Sequence, residues 1–483
     1  MHTRWHVLLG VAALAVLLTT AVRAPVFWAN EAYMDSVAGI WNALAADLTR
    51  GVFYRPVEGP DGFGGTRYAP VQVVLHAGLS WLFGGDLIAA GHGLSLAAMI
   101  ALVAGSFVLL RRVGLPIPLA AGASALILAS QTAQEALLSH KGDVLPAAFN
   151  VWGVAVCAAP ALGTAGAVAA AGLFTLAIGA KVTAVSGLGA ALAFLWMSRQ
   201  RRAAIAMLVA TLAGIGALAA ATFVASDGRV VEAFRAGASS APRLTDLLGA
   251  PFTFARLTRQ VPETLVFVQL GLAALLAVVL PRLRRPDLGA WYFLATLAGT
   301  ILICSAEGID TNHLLELHVA SIVVVGVWLA SANPDARAFG VVALAVAGLA
   351  ANMSLGSGLL NRRAEARRGL FTEAVALVAD TSRPILAENP LVPIAAGQRP
   401  YMLDAFLFRA NRRARPGLES RLWQELAAQR FSAVVLERDP HTERGERWYA
   451  AYWFGTGFIE QMERFYEEKG RVGDRVVYGP AAR

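Results

Sequence analysis

Apolar runs of close to twenty residues recur along the first three quarters of the chain, divided by short polar turns. Beyond about residue 355 they give way to brief apolar segments set among charges. A helix needs about 20 mostly apolar residues to cross a hydrocarbon core. The pattern therefore predicts a polytopic α-helical membrane protein with about eleven spans. They fall near 7–22, 87–110, 115–133, 144–160, 164–180, 182–198, 203–223, 263–281, 288–305, 313–331 and 338–354. Residues 71–84 (VQVVLHAGLSWLFG) are apolar but too short to cross, and read as an interfacial helix closing a first outer loop over 23–70. Arg4, an apolar stretch and Ala-Val-Arg-Ala give the amino terminus the outline of a signal peptide, but Pro25 follows at once, and the reading adopted is an uncleaved span.

Residues 355–483 follow another rule. Short runs at 384–387, 431–436 and 476–478 alternate with helical patterns near 364–380, 418–430 and 455–468, which predicts a small soluble α/β domain. The transmembrane domain accordingly covers 1–354.

Composition supports the membrane reading: 57% of residues are hydrophobic and 15% charged, against about 25% charged in soluble proteins. The net charge of +8 does not point to nucleic acid, because the tight arginine clusters lie between apolar runs. They are Arg111-Arg112, Arg199 with Arg201-Arg202, and Arg282 with Arg284-Arg285. A cytoplasmic amino terminus puts these clusters, with Arg4 and Arg337, on the inside, as the positive-inside rule requires, and the C-terminal domain outside. That bookkeeping works only if 71–84 does not cross. Trp28, Trp81, Trp196, Trp291 and Trp328 stand near span ends, where an aromatic belt belongs. Cys157 and Cys304 sit inside apolar runs and offer neither a disulfide framework nor a zinc spacing.

Ionisable residues at membrane depth are expensive, so those at span ends are the candidates for chemistry. Asn30 reads as a helix cap that would place Glu31 and Asp35 on one face, a general base with a second acid or metal ligand; the bland reading is a first-turn carboxylate favouring the helix dipole, with Asp35 merely solvated. Arg67 and Tyr68, ahead of the interfacial helix, suit a phosphate or an anchor at the headgroups. His140, Lys141 and Asp143 precede the fourth span, where Lys141 and Asp143 can also simply pair. Lys181 interrupts an apolar stretch at its outward turn and either snorkels or neutralises a phosphate. His313 and Glu316, about one turn apart, face one cavity or bond each other. HExxH, Walker A, GxSxG and zinc-cysteine patterns are missing from the sequence.

In order and placement these motifs resemble the GT-C superfamily of membrane glycosyltransferases, in the bacterial branch similar to protein O-mannosyltransferases and the lipid A aminoarabinose transferase. The matching segments are Asn30-Glu31-Ala32-Tyr33, Tyr68-Ala69-Pro70 through Phe83-Gly84, Asp143, Lys181, and Asn312 to Glu316. The resemblance covers residues 1 to about 320 and, less specifically, the tail. It implies a sugar donor on a polyprenyl phosphate and an acceptor that is an envelope lipid, glycan or protein. It also implies a multi-pass protein of the bacterial inner membrane, in contact with membrane lipids. Glu31, with Asp143 as second choice, would take a proton from the acceptor, while Lys181, Arg67 and Tyr68 bind the donor phosphate. The family's first acidic position is usually Asp and here is Asn30, which moves the base role to Glu31 and weakens a metal-dependent version. No cofactor is named by the pattern, though a divalent cation has room in it. The competing reading is a transporter or flippase of lipid-linked sugars; a third is a scaffold anchoring the tail domain. Transporters usually carry internal repeats, and none is evident here.

Overall fold

The computed structural model describes residues 3–29, 34–159, 162–238, 244–279, 287–366, 370–378, 382–412 and 414–482. Glu31, with Asn30, lies outside the described residues. Helix α1 (Thr3–Trp28) leads to α2 (Ser36–Thr49) and a small antiparallel hairpin, β1 (Glu58–Gly59) with β2 (Gly62–Phe63). Next comes α3 (Pro70–Ser80), with a 3-10 turn over Trp81–Phe83, and then α4 (Leu87–Arg112). The following helices are α5 (Ile117–Ala125), α6 (Gln131–Leu138), α7 (Val144–Cys157), α8 (Thr164–Ala180), α9 (Ser186–Met197) and α10 (Arg201–Ala225). Two helices, α11 (Arg229–Ala238) and α12 (Asp246–Gln260), lead to α13 (Pro262–Val279), α14 (Leu288–Ile303), α15 (Leu315–Ser331) and α16 (Pro334–Ala366).

Among the described residues, six helical stretches are long and apolar enough to cross a membrane: Trp5–Trp28, Leu87–Arg112, Arg201–Ala225, Pro262–Val279, Thr311–Ser331 and Pro334–Gly356. Shorter apolar helices pack among them. The run expected as one span over 115–133 is broken into α5, a 3-10 turn at Leu126–Ala129 and α6, because Ser130 turns out of the helix to cap α6 through Ala133 N (3.1 Å). The stretch around α15 is the most enclosed, 78% buried. Its valines are apolar on every side, as a helix at the centre of a bundle must be. Residues 71–84 form α3 and its 3-10 extension, ended by Gly84 at φ 65°, with Trp81 and Leu82 each 81% exposed.

The C-terminal region holds a four-stranded sheet in the order β3-β4-β6-β5, built from β3 (Ile385–Ala387), β4 (Ala433–Leu436), β5 (Tyr466–Val472) and β6 (Arg475–Pro480). β3 and β4 run parallel, the other pairs antiparallel. Helices α17 (Leu370–Leu377), α18 (Leu391–Ala395), α19 (Ala405–Asn411), α20 (Pro416–Ala427), α21 (Glu443–Ala451) and α22 (Phe458–Glu463) complete it.

This region is bonded to the segment that follows α1. Phe63 N donates to Tyr401 O (2.9 Å) and Leu403 N to Phe63 O (3.0 Å), so the hairpin extends into the tail by main-chain bonds. Gly62, at φ 106°, lies where any Cβ would meet Tyr401 O at 2.0 Å, so only glycine fits. Buried Asp47 receives Arg55 Nε at 2.7 Å and Arg399 Nε at 2.9 Å. Asn389 Nδ2 donates to Met34 O at 2.8 Å.

Past the end of β3, buried Glu388 accepts from Trp448 Nε1 (2.8 Å), Tyr449 OH (2.7 Å) and Glu437 N (3.0 Å), tying α21 to the sheet. Burial, reinforced by the Glu437 carboxylate, pushes its carboxyl up to about 7 from 4.5. An acid whose pKa is raised by folding stabilises the fold fully below its unfolded value and loses that contribution as pH rises through the folded one. The melting temperature of the full-length protein, read through tryptophan emission, is expected to fall between about pH 4.5 and 7. Glu388→Gln should flatten that slope; an unchanged slope would refute the assignment.

Candidate active site

The connection between α6 and α7 spreads three side chains, His140, Lys141 and Asp143, in three directions. His140 (φ 41°) and Gly142 (φ 79°) are both left-handed. A Cβ on Gly142 would stand 2.6 Å from the Trp41 ring, and Trp41 Nε1 donates to Lys141 O at 3.1 Å. The turn is thus pressed flat on Trp41.

His140 points inward. Its Nε2 lies 2.6 Å from Asn42 Nδ2, and its ring sits 5.1 Å from that of His92 and 5.8 Å from that of His76. Burial, with the two neighbouring imidazoles, lowers its pKa well below the usual histidine range. It is a core histidine, packed among other buried side chains. Lys141 points to Asp35 (3.0 Å) and Glu135 (3.3 Å). Burial works against its charge, but Asp35, Glu135 and Asp310 outweigh it and raise its pKa.

Asp143 takes the third direction. Its Oδ1 accepts from Lys181 Nζ at 2.5 Å, and its Oδ2 from Asn312 Nδ2 at 2.7 Å. Lys141 and Asp143, two positions apart in sequence, therefore serve separate networks rather than pairing. Lys181 follows α8 in extended backbone, and its ammonium also stands 3.2 Å from His313 Nδ1. It is held between a carboxylate and an imidazole instead of snorkelling.

Asp143, Lys181, Asn312, His313 and Glu316 line one partly open pocket between α7, α9, α14 and the start of α15. Thr183, Ser186, Thr296 and Thr300 bring hydroxyl side chains to its wall. Glu316 does not bond His313. Its Oε1 accepts from Asn150 Nδ2 (3.0 Å) and Tyr292 OH (3.1 Å). Asn150 and Tyr292 escaped the sequence reading; a lone amide inside an otherwise apolar run was the signal for the first.

Asp35 takes another place than expected. It caps α2, accepting from Ala38 N at 3.0 Å, so it stands before the helix and not one turn inside it. Tyr68 packs against Trp41 with ring centres 4.4 Å apart and the planes tilted by 46°. Arg67 lies 4.9 Å over the Phe406 ring, which α19 supplies. Buried Asp404, the cap of α19, stands beside it, and burial holds that carboxyl above its usual range. The tail's contribution to this rim was invisible in sequence, since it comes from more than 330 residues downstream of Arg67.

No family model and no curated protein matches the chain. Solved structures do. ArnT from Cupriavidus metallidurans in the apo state aligns with a TM-score of 0.61 at 13% identity, over 97% of this chain and 98% of that one. The same ArnT bound to undecaprenyl phosphate gives 0.56 at 12% identity over the same shares. The fold is GT-C-like. The Archaeoglobus fulgidus oligosaccharyltransferase in complex with Zn and sulfate shares this GT-C architecture, with a TM-score of 0.58 and 14% identity over 98% of this chain and 73% of that chain. In this fold, the polar groups described above gather where the apolar helices meet the α2–β2 segment and the C-terminal region.

Proposed function

We propose that the chain is a membrane glycosyltransferase that moves a sugar from a polyprenyl-phosphate donor to a hydroxyl of an envelope lipid, glycan or protein. The observation that carries this reading is Lys181 held by Asp143 and His313 at a polar cavity, in a fold shared end to end with a protein crystallised with undecaprenyl phosphate. A lipid phosphate needs such an arrangement: a fixed cation where apolar helices end.

In this mechanism Glu31 removes the acceptor proton, with Asp143 the second choice. The acceptor oxygen attacks the anomeric carbon as the bond to the phosphate oxygen breaks, and the electron pair leaves with the polyprenyl phosphate. One displacement inverts the anomeric centre. Lys181 exchanges part of its bond to Asp143 for the departing phosphate, and Arg67, beside Phe406, balances the remaining charge. Tyr68 completes the rim. The amino terminus is cytoplasmic in this proposal, the site faces outward from the inner membrane, and the short apolar helices complete about eleven crossings. The transporter alternative gains nothing from a polar cluster confined to one end of the bundle.

Glu31→Gln tests the base. Transfer in membranes, with polyprenyl-phosphate sugars as donors, is expected to fall about 10²–10⁴-fold. Full activity in that variant would remove Glu31 from the mechanism.

A further inference from the structure

Besides Asp143 and Glu316 at the cavity, three acidic side chains act on Lys141: Asp35, Glu135 and Asp310, contributed by the start of α2, by α6 and by the turn before α15. Carboxylates so placed are the ordinary setting for a divalent cation, and one relative in fold was crystallised with zinc. Here the donor set does not fit a metal. The middle of the group is taken by the ammonium of Lys141, 3.0 Å from Asp35 Oδ2 and 3.3 Å from Glu135 Oε2, on a side chain only 10% exposed. A hard cation needs these oxygens at about 2.0–2.6 Å around one point. An ammonium already at that point excludes it by size and by charge. Lys141 cannot easily withdraw, because its main chain is fixed by Trp41 Nε1 and by the two left-handed residues His140 and Gly142. Among the described residues, no three His, Cys, Asp or Glu side chains converge as metal ligands.

We infer that Lys141 is the resident cation of this carboxylate group, standing where a divalent ion would otherwise bind, and that no exchangeable metal occupies the group. Lys141 is then a positioning residue. Its ammonium fixes Asp35, the residue that caps α2. The positioning role rests on the glycosyltransferase reading; the exclusion of metal does not.

The test is Mn²⁺ titration of the full-length protein in nanodiscs, with bound ion read by electron paramagnetic resonance. The wild type is expected to bind no Mn²⁺ at this group. Lys141→Ala should bind one ion per chain at least about tenfold more tightly than wild type, because the oxygens are kept and the competing charge is gone. Adding Glu135→Gln should abolish that gain. Lys141→Gln, closer to lysine in length, repeats the measurement if the alanine variant does not fold. Mn²⁺ on the wild type that Glu135→Gln displaces would overturn the inference, as would a folded Lys141 variant that gains no ion. Because binding is read without turnover, failure of the protein to transfer any sugar would count against the proposed function and leave this result standing.

Discussion

Under the proposed mechanism, Lys181→Met is expected to remove sugar transfer almost completely, by about a hundredfold or more, since the leaving phosphate would lose its nearest fixed cation. The same change strands Asp143, whose side chain is 5% exposed, with Asn312 as its remaining partner. Breaking one side of a buried pair typically costs about 3–5 kcal/mol, so lost activity alone would be ambiguous. The double variant Asp143→Asn with Lys181→Met separates the causes. It carries no orphan charge, and its melting temperature should return most of the way to wild type while transfer stays absent. Recovery of activity along with stability would reduce Lys181 to a structural counter-ion.

Asp47→Ala is expected to be the most damaging single change away from the cavity. Asp47 and Arg55 are each 3% exposed, and Arg399 joins the same carboxylate from the C-terminal region. Without Asp47, the Arg55 guanidinium stays buried with Pro400 O as its remaining hydrogen-bond partner, a loss of about 3–5 kcal/mol. The damage falls on the junction between the segment after α1 and the tail. Limited proteolysis of the full-length protein should therefore release the tail faster, while the membrane helices remain protected. Asp47→Asn, which keeps one acceptor oxygen, should fall between the two. A proteolysis pattern unchanged in both variants would show the junction to be held by other contacts.

Much of the helical scaffold was legible because membrane helices must be apolar over a fixed length, and α4, α10 and α13 stand out by that test alone. The break inside 115–133 was not, since hydropathy does not register a serine cap. At the site, the residue types were readable but their partners were not. Lys141 and Asp143 look like a pair in sequence, yet two left-handed residues turn them toward networks on opposite sides of the loop. His140 looks titratable until its burial beside two other imidazoles is known. Asp35 was read as the partner of Glu31 on a helix face, whereas it ends the segment by capping the helix behind it. Phe406 and Asp404 carried no signal at all, because their meaning depends on an arginine in the first loop.

The main-chain bonds joining Phe63 to Tyr401 and Leu403 also set an order of events during synthesis. About 340 residues separate the partners, and a ribosome working at about 5–20 residues per second needs tens of seconds to make them. For that interval the hairpin has no partner strand, and Arg67 has no Phe406 to rest on. The membrane helices are made first and the rim around Arg67 is finished last, when the tail docks on the first loop. A nascent chain stalled before Tyr401 would therefore hold its bundle and its Asp143–Lys181 pair, but an unfinished entrance.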